Sequence, residues 1–154
     1  METRWGGSEG SVRKALRRKG AKYGDLEAPY IIAVNYLSGW SFDKISHMAA
    51  LFGGEEFHHQ RGAKELEIRR RRDGFWAGPQ GPRHTRVSAV LLCKVAPWSV
   101  ADAFLCLYHN PWAQYPYSGE LTRLPQAVPG IKMNWLEGVR SGELLGLAPN
   151  WRGE

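Results

Sequence analysis

The sequence predicts an α+β fold with a mixed, partly antiparallel sheet flanked by helices. Residues 30–34 form an apolar run rich in β-branched side chains, which is typical of a strand. Two further apolar runs, 86–95 and 104–108, are separated by a short segment that begins with Pro97, and this arrangement favours an antiparallel hairpin. With 154 residues and 43% hydrophobic content, the chain can bury one core.

The first helix is predicted over residues 11–23, with a narrow apolar stripe and a broad basic face. Val12, Leu16, Lys19 and Tyr23 recur at helical spacing. Ser11 is a suitable N-cap and Gly24 a suitable C-terminal stop.

A second helix is predicted over residues 41–52. Ser41 is its expected N-cap, and Gly53 and Gly54 are expected to end it. Its apolar face should contain Phe42, Ile45, Ala49 and Phe52.

The strands are predicted with different environments. The run 30–34 is apolar at every position, so we expect a central strand covered on both faces. In the hairpin, a turn centred between Ser99 and Val100 would place Cys93 opposite Cys106. We interpret these cysteines as small buried hydrophobic residues, rather than as a disulfide or redox pair, in a cytoplasmic protein.

The remaining segments are less regular. Residues 1–10 are expected to be a flexible lead-in, 11–125 a single α+β domain, and 126–154 an irregular tail whose tryptophans pack on that domain. Residues 55–72 fit an edge strand, a helix or a mobile basic loop. No apolar run approaches the roughly 20 residues that span a bilayer, so no membrane segment is expected.

Two basic clusters account for much of the formal net charge of +6. Such clusters can neutralise phosphates, so they predict contact with DNA or RNA; the alternative is a solvated helix face and a basic loop. The first cluster has no intervening acid and contains Arg13, Lys14, Arg17, Arg18, Lys19 and Lys22. The second is diluted by Glu65 and Glu67 and contains Arg61, Lys64, Arg69, Arg70, Arg71 and Arg72.

Candidate catalytic groups are sparse. His109 and Asn110 follow an apolar strand and are a candidate polar cleft, although they equally suit a turn before Pro111. No phosphate-binding glycine motif or nucleophile motif is present.

One group of residues could also hold a metal ion. His58 and His59 with Glu55 or Glu56 are a conceivable ligand set, the alternative being a polar surface loop. The other carboxylates are scattered; Glu65 and Glu67 beside Arg69 are the nearest approach to a nuclease cluster, and we interpret them as surface residues.

Four segments together resemble a family of bacterial, largely uncharacterised proteins of restriction-endonuclease-like character, over most of residues 11–125. The segments are KYGDLEAPYIIAVN, ALFGGEEF, RDGFWAGPQGPRHTRVSAVLLCKVAPW and LYHNPWAQYPY. The resemblance implies that a front half supplies the PD-(D/E)XK-type strands and acids, while this chain corresponds to the rear half of an incomplete fold of that kind. No catalytic residue is carried over, and Mg²⁺ is expected only if a partner or missing segment supplies carboxylates.

Three functional hypotheses follow. The first is a non-catalytic C-terminal portion of a restriction-endonuclease-like protein that contacts nucleic-acid phosphates. The second is a structural half-domain that requires a protein partner or the missing N-terminal half. The third is a small independent hydrolase with a site near His109.

Overall fold

The computed structural model describes residues 8–37, 43–58, 62, 66–119, 123–149 and 151. Its α-helices are α1 Ser8–Gly20, α2 Lys44–Phe52 and α3 Ser141–Leu144, with a 3₁₀ segment at Pro97–Asp102. Its strands are β1 Tyr30–Asn35, β2 Glu55–His58, β3 Glu67–Arg70, β4 Ala77–Gly78, β5 Gly81–Pro82, β6 Val87–Lys94, β7 Phe104–His109, β8 Gln126–Val128 and β9 Asn134–Leu136.

The main sheet has five strands in the order β1-β6-β7-β8-β9. β1 is parallel to β6 and β8 is parallel to β7, while the β6–β7 and β8–β9 pairs are antiparallel. The predicted α+β class with a mixed, partly antiparallel sheet is confirmed. In the described part of the chain, β2 pairs with β3 and β4 pairs with β5, in two small separate sheets.

One face of the main sheet packs against α1 and α2. Ile32 and Val34 of β1, and Val90 and Leu92 of β6, lie in one buried cluster with helical side chains such as Leu16. The largest fully buried side chains of the described residues are Trp76, Tyr108 and Phe75. The aromatic pair Phe75 and Trp76 therefore anchors the segment between the hairpin β2–β3 and β6.

Helix α1 begins and ends three residues before the predicted bounds. Ser11 lies inside the helix, and Glu9 occupies the first turn, where a carboxylate interacts favourably with the helix dipole. Gly20 ends the helix against the core: a Cβ there would lie 3.3 Å from Cζ of Phe75. The predicted N-cap at Ser11 and stop at Gly24 are therefore wrong.

Helix α2 ends at Phe52 as predicted but is capped by a different residue. The Asp43 carboxylate accepts a hydrogen bond from the Ser46 backbone N–H at 2.9 Å, and aspartate caps as well as serine does. The expected cap Ser41, with Phe42, lies outside the described residues. Ile45 is exposed, because the buried face runs instead through His47, Ala50, Leu51 and Phe52.

β1 is an edge strand, not the predicted central one. Its side chains alternate between burial and exposure, with Ile32 and Val34 inward and Ile31 and Ala33 outward. The apolar composition misled the prediction because the two outward residues are apolar as well.

The hairpin β6–β7 is confirmed, but its register differs by one residue from the expectation. Leu92 pairs with Cys106, and Cys93 pairs with Leu105. A one-residue shift turns a side chain to the other face of the sheet, so the cysteines do not face each other. The connection is a kinked 3₁₀ segment with Ser99 outside helical geometry, rather than a symmetric turn. Both cysteines are free thiols; Cys106 is buried and Cys93 partly exposed.

The described part of the predicted tail, 126–149, is more regular than expected. β8 and β9 extend the main sheet beyond β7, and α3 contacts the 3₁₀ segment. The prediction of an irregular tail is therefore corrected. Each of these strands has only three residues, too few for a periodic pattern to stand out.

Within residues 55–72, β2 and β3 pair as an exposed antiparallel hairpin whose base is closed by backbone hydrogen bonds. The Arg71 N–H donates to the Gly54 carbonyl at 2.7 Å, and those of Phe75 and Trp76 donate to Ala50 and Leu51 at 2.8 Å. Gly53, at φ 101°, allows this close approach, since a Cβ there would collide with the Arg71 carbonyl.

None of the helices in the described part of the chain has the length and apolar composition that crossing a membrane requires.

Candidate nucleic-acid interface

Helix α1 presents a basic face on the side opposite to its buried stripe. Val12 and Leu16 point into the core, and at about 100° per residue Lys14, Arg17 and Arg18 point away from it. All three are exposed. Across the part of the chain that the structure describes, none of them forms an ion pair. This set of three residues is named the α1 basic face.

The positive potential extends beyond α1 to the segment before β6. The pKa of His84 is lowered, first by burial and then by the charges of Arg83, Arg17 and Arg86. The Arg86 guanidinium donates to the Gly20 carbonyl at 2.9 Å, which places it at the C-terminal end of α1. Arg83 and Arg86 were not among the predicted site residues, because they lie far from α1 along the chain and only the fold brings them near it.

Arg13, unlike the residues of the α1 basic face, is largely buried and paired with an acid. Its side chain is only 17% exposed, and Nη1 lies 3.6 Å from the Asp73 carboxylate. Its Nη2 donates to the Ala49 carbonyl at 3.5 Å. Arg13 therefore connects α1 to the end of α2, and its charge is compensated by Asp73.

The four consecutive arginines of the hairpin segment are each engaged by acceptors of the chain. Arg69 contacts Glu67 at 2.8 Å, and Arg70 contacts Glu55 at 2.8 Å. Arg71 lies 3.7 Å from Glu56 and 3.6 Å from Asp73. Arg72 donates a hydrogen bond to the Pro79 carbonyl at 3.4 Å. Exposed ion pairs stabilise little, but they cancel much of the field that a phosphate would meet.

Strand pairing explains this compensation. In the antiparallel register, Glu55 lies opposite Arg70 and Glu56 opposite Arg69. The hydrogen bond from Arg69 lowers the pKa of the Glu67 carboxyl and keeps it ionised. The sequence shows Glu67 between the basic residues, but the pairing with Glu55 and Glu56 requires the fold.

A groove runs between α1 and the outer edge of β1, with a volume of about 630 Å³. Tyr30 donates its hydroxyl hydrogen to the Lys19 carbonyl at 2.8 Å and meets Tyr23 edge-to-face at 5.7 Å. The Lys22 ammonium lies 5.3 Å from the centre of the Tyr23 ring. Of the predicted site residues, Lys22 and Arg18 line this groove, together with Lys19. The groove was not predicted, because β1 was expected to be a central strand with a neighbour on each side.

His109 and Asn110 both contact other groups of the chain through hydrogen bonds. His109 is 8% exposed, and its Nε2 lies 2.7 Å from Oε1 of Gln126. The Asn110 side chain donates to the Val87 carbonyl at 2.8 Å and accepts from the Trp112 N–H at 2.9 Å, which is the geometry of a turn former. This arrangement favours the turn interpretation over the polar cleft.

The suggested metal ligands are dispersed. His58 lies 3.5 Å from Glu56, while Glu55 on the other face pairs with Arg70; His59 is outside the described residues. Among the residues that are described, no group of three or more His, Cys, Asp or Glu side chains could hold a metal ion.

A buried polar cluster under α2 was also missed. His47 is fully buried, with Nδ1 at 2.7 Å from the Tyr108 hydroxyl and Nε2 at 3.4 Å from the Tyr36 hydroxyl. Burial lowers the pKa of His47 to about 4 and raises that of Cys106 to about 11. These groups are therefore neutral at pH 7, and the cluster contributes to the packing of the core without adding a charge to it.

A cavity of about 420 Å³ lies near this cluster, and in it the Lys44 ammonium lies 4.5 Å from the centre of the Trp135 ring.

Comparison with known proteins gives no further guidance: no protein-family model, curated protein or solved structure matches this chain significantly. The functional proposal therefore rests on the geometry of the chain itself.

Proposed function

We propose that this chain binds nucleic acid by contacting phosphates, and that it does so without catalysing a reaction. The supporting observation is the α1 basic face: Lys14, Arg17 and Arg18 are exposed and uncompensated among the described residues. Binding of this kind is driven by counterion release, so it is independent of sequence and weakens steeply with salt.

The shape of α1 suits this role. Its 13 residues span about 20 Å, long enough to follow several phosphates of one backbone. Arg86 continues the positive surface at the C-terminal end of the helix. DNA and RNA both present the required phosphates.

The family resemblance suggests how nucleic-acid binding by this chain would contribute to a larger protein. A C-terminal portion of a restriction-endonuclease-like protein would hold the substrate, while carboxylates for Mg²⁺ would come from a front half or a partner. The compensated hairpin arginines have a smaller part in this proposal than the sequence predicted, and no role is proposed for His109.

The test compares two double variants that remove equal charge. We expect Lys14→Ala with Arg17→Ala to weaken binding of a fluorescent 20-base-pair duplex about tenfold or more at low salt. The slope of log K against log salt should fall by about 2, because two phosphate contacts are lost. Fluorescence anisotropy over a potassium chloride series measures both quantities.

The matched control is Arg69→Ala with Arg70→Ala, which should change the affinity by less than about twofold, because each of these side chains is already paired with a glutamate. Equal losses in the two double variants would contradict the assignment to α1. Unchanged binding in both would remove the nucleic-acid proposal.

A second function, that of a half-domain completed by a protein partner, is favoured by the apolar side of the hairpin. Phe57 and Ile68 lie directly opposite each other in β2 and β3 and are 66% and 58% exposed. Leu66, next to β3, is also exposed. Exposed apolar side chains gathered in this way commonly mark an interaction surface.

This second candidate function predicts that the isolated chain binds hydrophobic molecules and associates with itself. The wild type should bind a hydrophobic fluorescent dye and self-associate at micromolar concentration, and Phe57→Ser with Ile68→Thr should abolish both. Light scattering after size exclusion gives the association state. A wild-type monomer that binds no dye would eliminate this function.

A further inference from the structure

The outer edge of β1 has unpaired backbone groups in the described structure. The Tyr36 N–H donates to the Cys93 carbonyl at 3.1 Å, so in the parallel pairing Ile32, Val34 and Tyr36 direct their backbone groups toward β6. The backbone groups of Ile31, Ala33 and Asn35 therefore point away from the sheet. Such an edge is a template for an additional strand.

β1 lacks the usual protection of an edge strand. Proteins discourage pairing at an edge with charged residues, prolines or very short strands. β1 has six residues, YIIAVN, with no charge and no proline among them. An extended segment placed beside it would hydrogen-bond to Ile31 and Ala33.

The charges that line the adjacent groove indicate what kind of segment fits. Arg18, Lys19 and Lys22 line the groove, and no acidic side chain of the described residues does. A second copy of the chain, paired edge to edge through β1, would bring these like charges together. An acidic partner would instead gain from them.

We propose that β1 accepts an extended acidic peptide as an additional strand of the sheet. Side chains of a strand alternate between the two faces, so every second residue of the peptide faces α1 and its basic side chains. The residues between them lie beside the exposed Ile31 and Ala33 and are best apolar and β-branched. This site shares Arg18 with the α1 basic face but otherwise uses other residues, and it does not depend on the nucleic-acid proposal.

The experiment uses a fluorescent peptide of alternating glutamate and valine, ten residues long, and the full chain. A peptide of the same composition with all glutamates before all valines is the control, because it has the same charge without the alternation. We expect the alternating peptide to bind at least about tenfold more tightly than the control.

Two variants test the two components of the site. Ala33→Pro removes an outward N–H, at a position where an edge strand tolerates proline, and should weaken binding about tenfold. Lys19→Glu with Lys22→Glu should weaken it at least as much by charge repulsion, while Lys14→Ala with Arg17→Ala should leave it unchanged. If Ala33→Pro does not fold, the comparison between the Lys19→Glu, Lys22→Glu variant and the Lys14→Ala, Arg17→Ala variant still tests the proposal.

Three results would overturn the proposal. The first is equal binding of the alternating and control peptides, which would indicate only charge attraction. The second is wild-type binding by a folded Ala33→Pro variant or by the glutamate variant. The third is displacement of the peptide by a single-stranded oligonucleotide whose own binding is lost in Ala33→Pro, which would assign the groove to nucleic acid.

Discussion

Helix α1 and the hairpin β2–β3 carry similar runs of basic residues in the sequence, yet their charges have different fates. On α1, Lys14, Arg17 and Arg18 project into solvent without an ion pair among the described residues. On the hairpin, Arg69 and Arg70 each lie 2.8 Å from a glutamate. The difference shows that a basic run produces a positive surface only where the fold brings no acid to it.

The two regions also differ in how they are attached to the core. α1 buries Val12 and Leu16 against α2 and β1, whereas every residue of β2 and β3 is exposed. A ligand held by α1 is therefore held by a rigid element of the core. A ligand held by the hairpin would depend on an arm outside it.

The largest expected effect tests this difference in attachment. Leu16→Ala should lower the free energy of unfolding by about 3 kcal/mol, because it removes a fully buried side chain and leaves a cavity. Ile68→Ala on the hairpin should change it by less than about 0.5 kcal/mol. Urea denaturation followed by circular dichroism measures both values; a comparable loss from Ile68→Ala would show that the hairpin is part of the cooperative core.

A smaller effect is the pH dependence of stability, which compares a buried histidine of α2 with an exposed histidine of the hairpin β2–β3. Burial lowers the pKa of His47 to about 4, below its value of 6.5 in an unfolded chain. The unfolded state therefore binds the proton more readily, and stability is full above about pH 6.5 and declines as the pH falls toward 4. The decline should be about 2 kcal/mol between pH 7 and 5.

His47→Gln should remove most of this decline and leave the smaller part that comes from the lowered pKa of His84, though the variant will be less stable at pH 7. The same substitution at His58, exposed on the hairpin, is the matched control and should leave the decline in place. Unfolding at pH 7, 6 and 5 measures the slopes, and a wild-type slope in His47→Gln would mean that another group is responsible.

Much of the architecture was predictable from local patterns. The runs that became β6 and β7 are apolar over most of their length and are separated by Pro97, so their pairing as a hairpin followed from chain connectivity. The end of α2 was predicted as well, because Gly53 adopts a φ of 101° that other residues rarely adopt.

The remaining features depend on long-range pairing. The apolar character of Ile31 and Ala33 concealed the edge position of β1, and β8 and β9 are too short to show a period. For the site, the sequence identified Lys14, Arg17 and Arg18. The ion pair of Arg13 with Asp73 and the groove beside β1 required the fold.

The closed base of the hairpin has a consequence for how this protein can change. Because the Arg71 N–H donates to the Gly54 carbonyl, β2 begins and β3 ends at the same place on the core. We therefore expect that the segment between β2 and β3 can be shortened, lengthened or exchanged for a tag without moving the main sheet. Relatives of this chain should accordingly differ in length at this position more readily than in the adjoining Phe75 and Trp76.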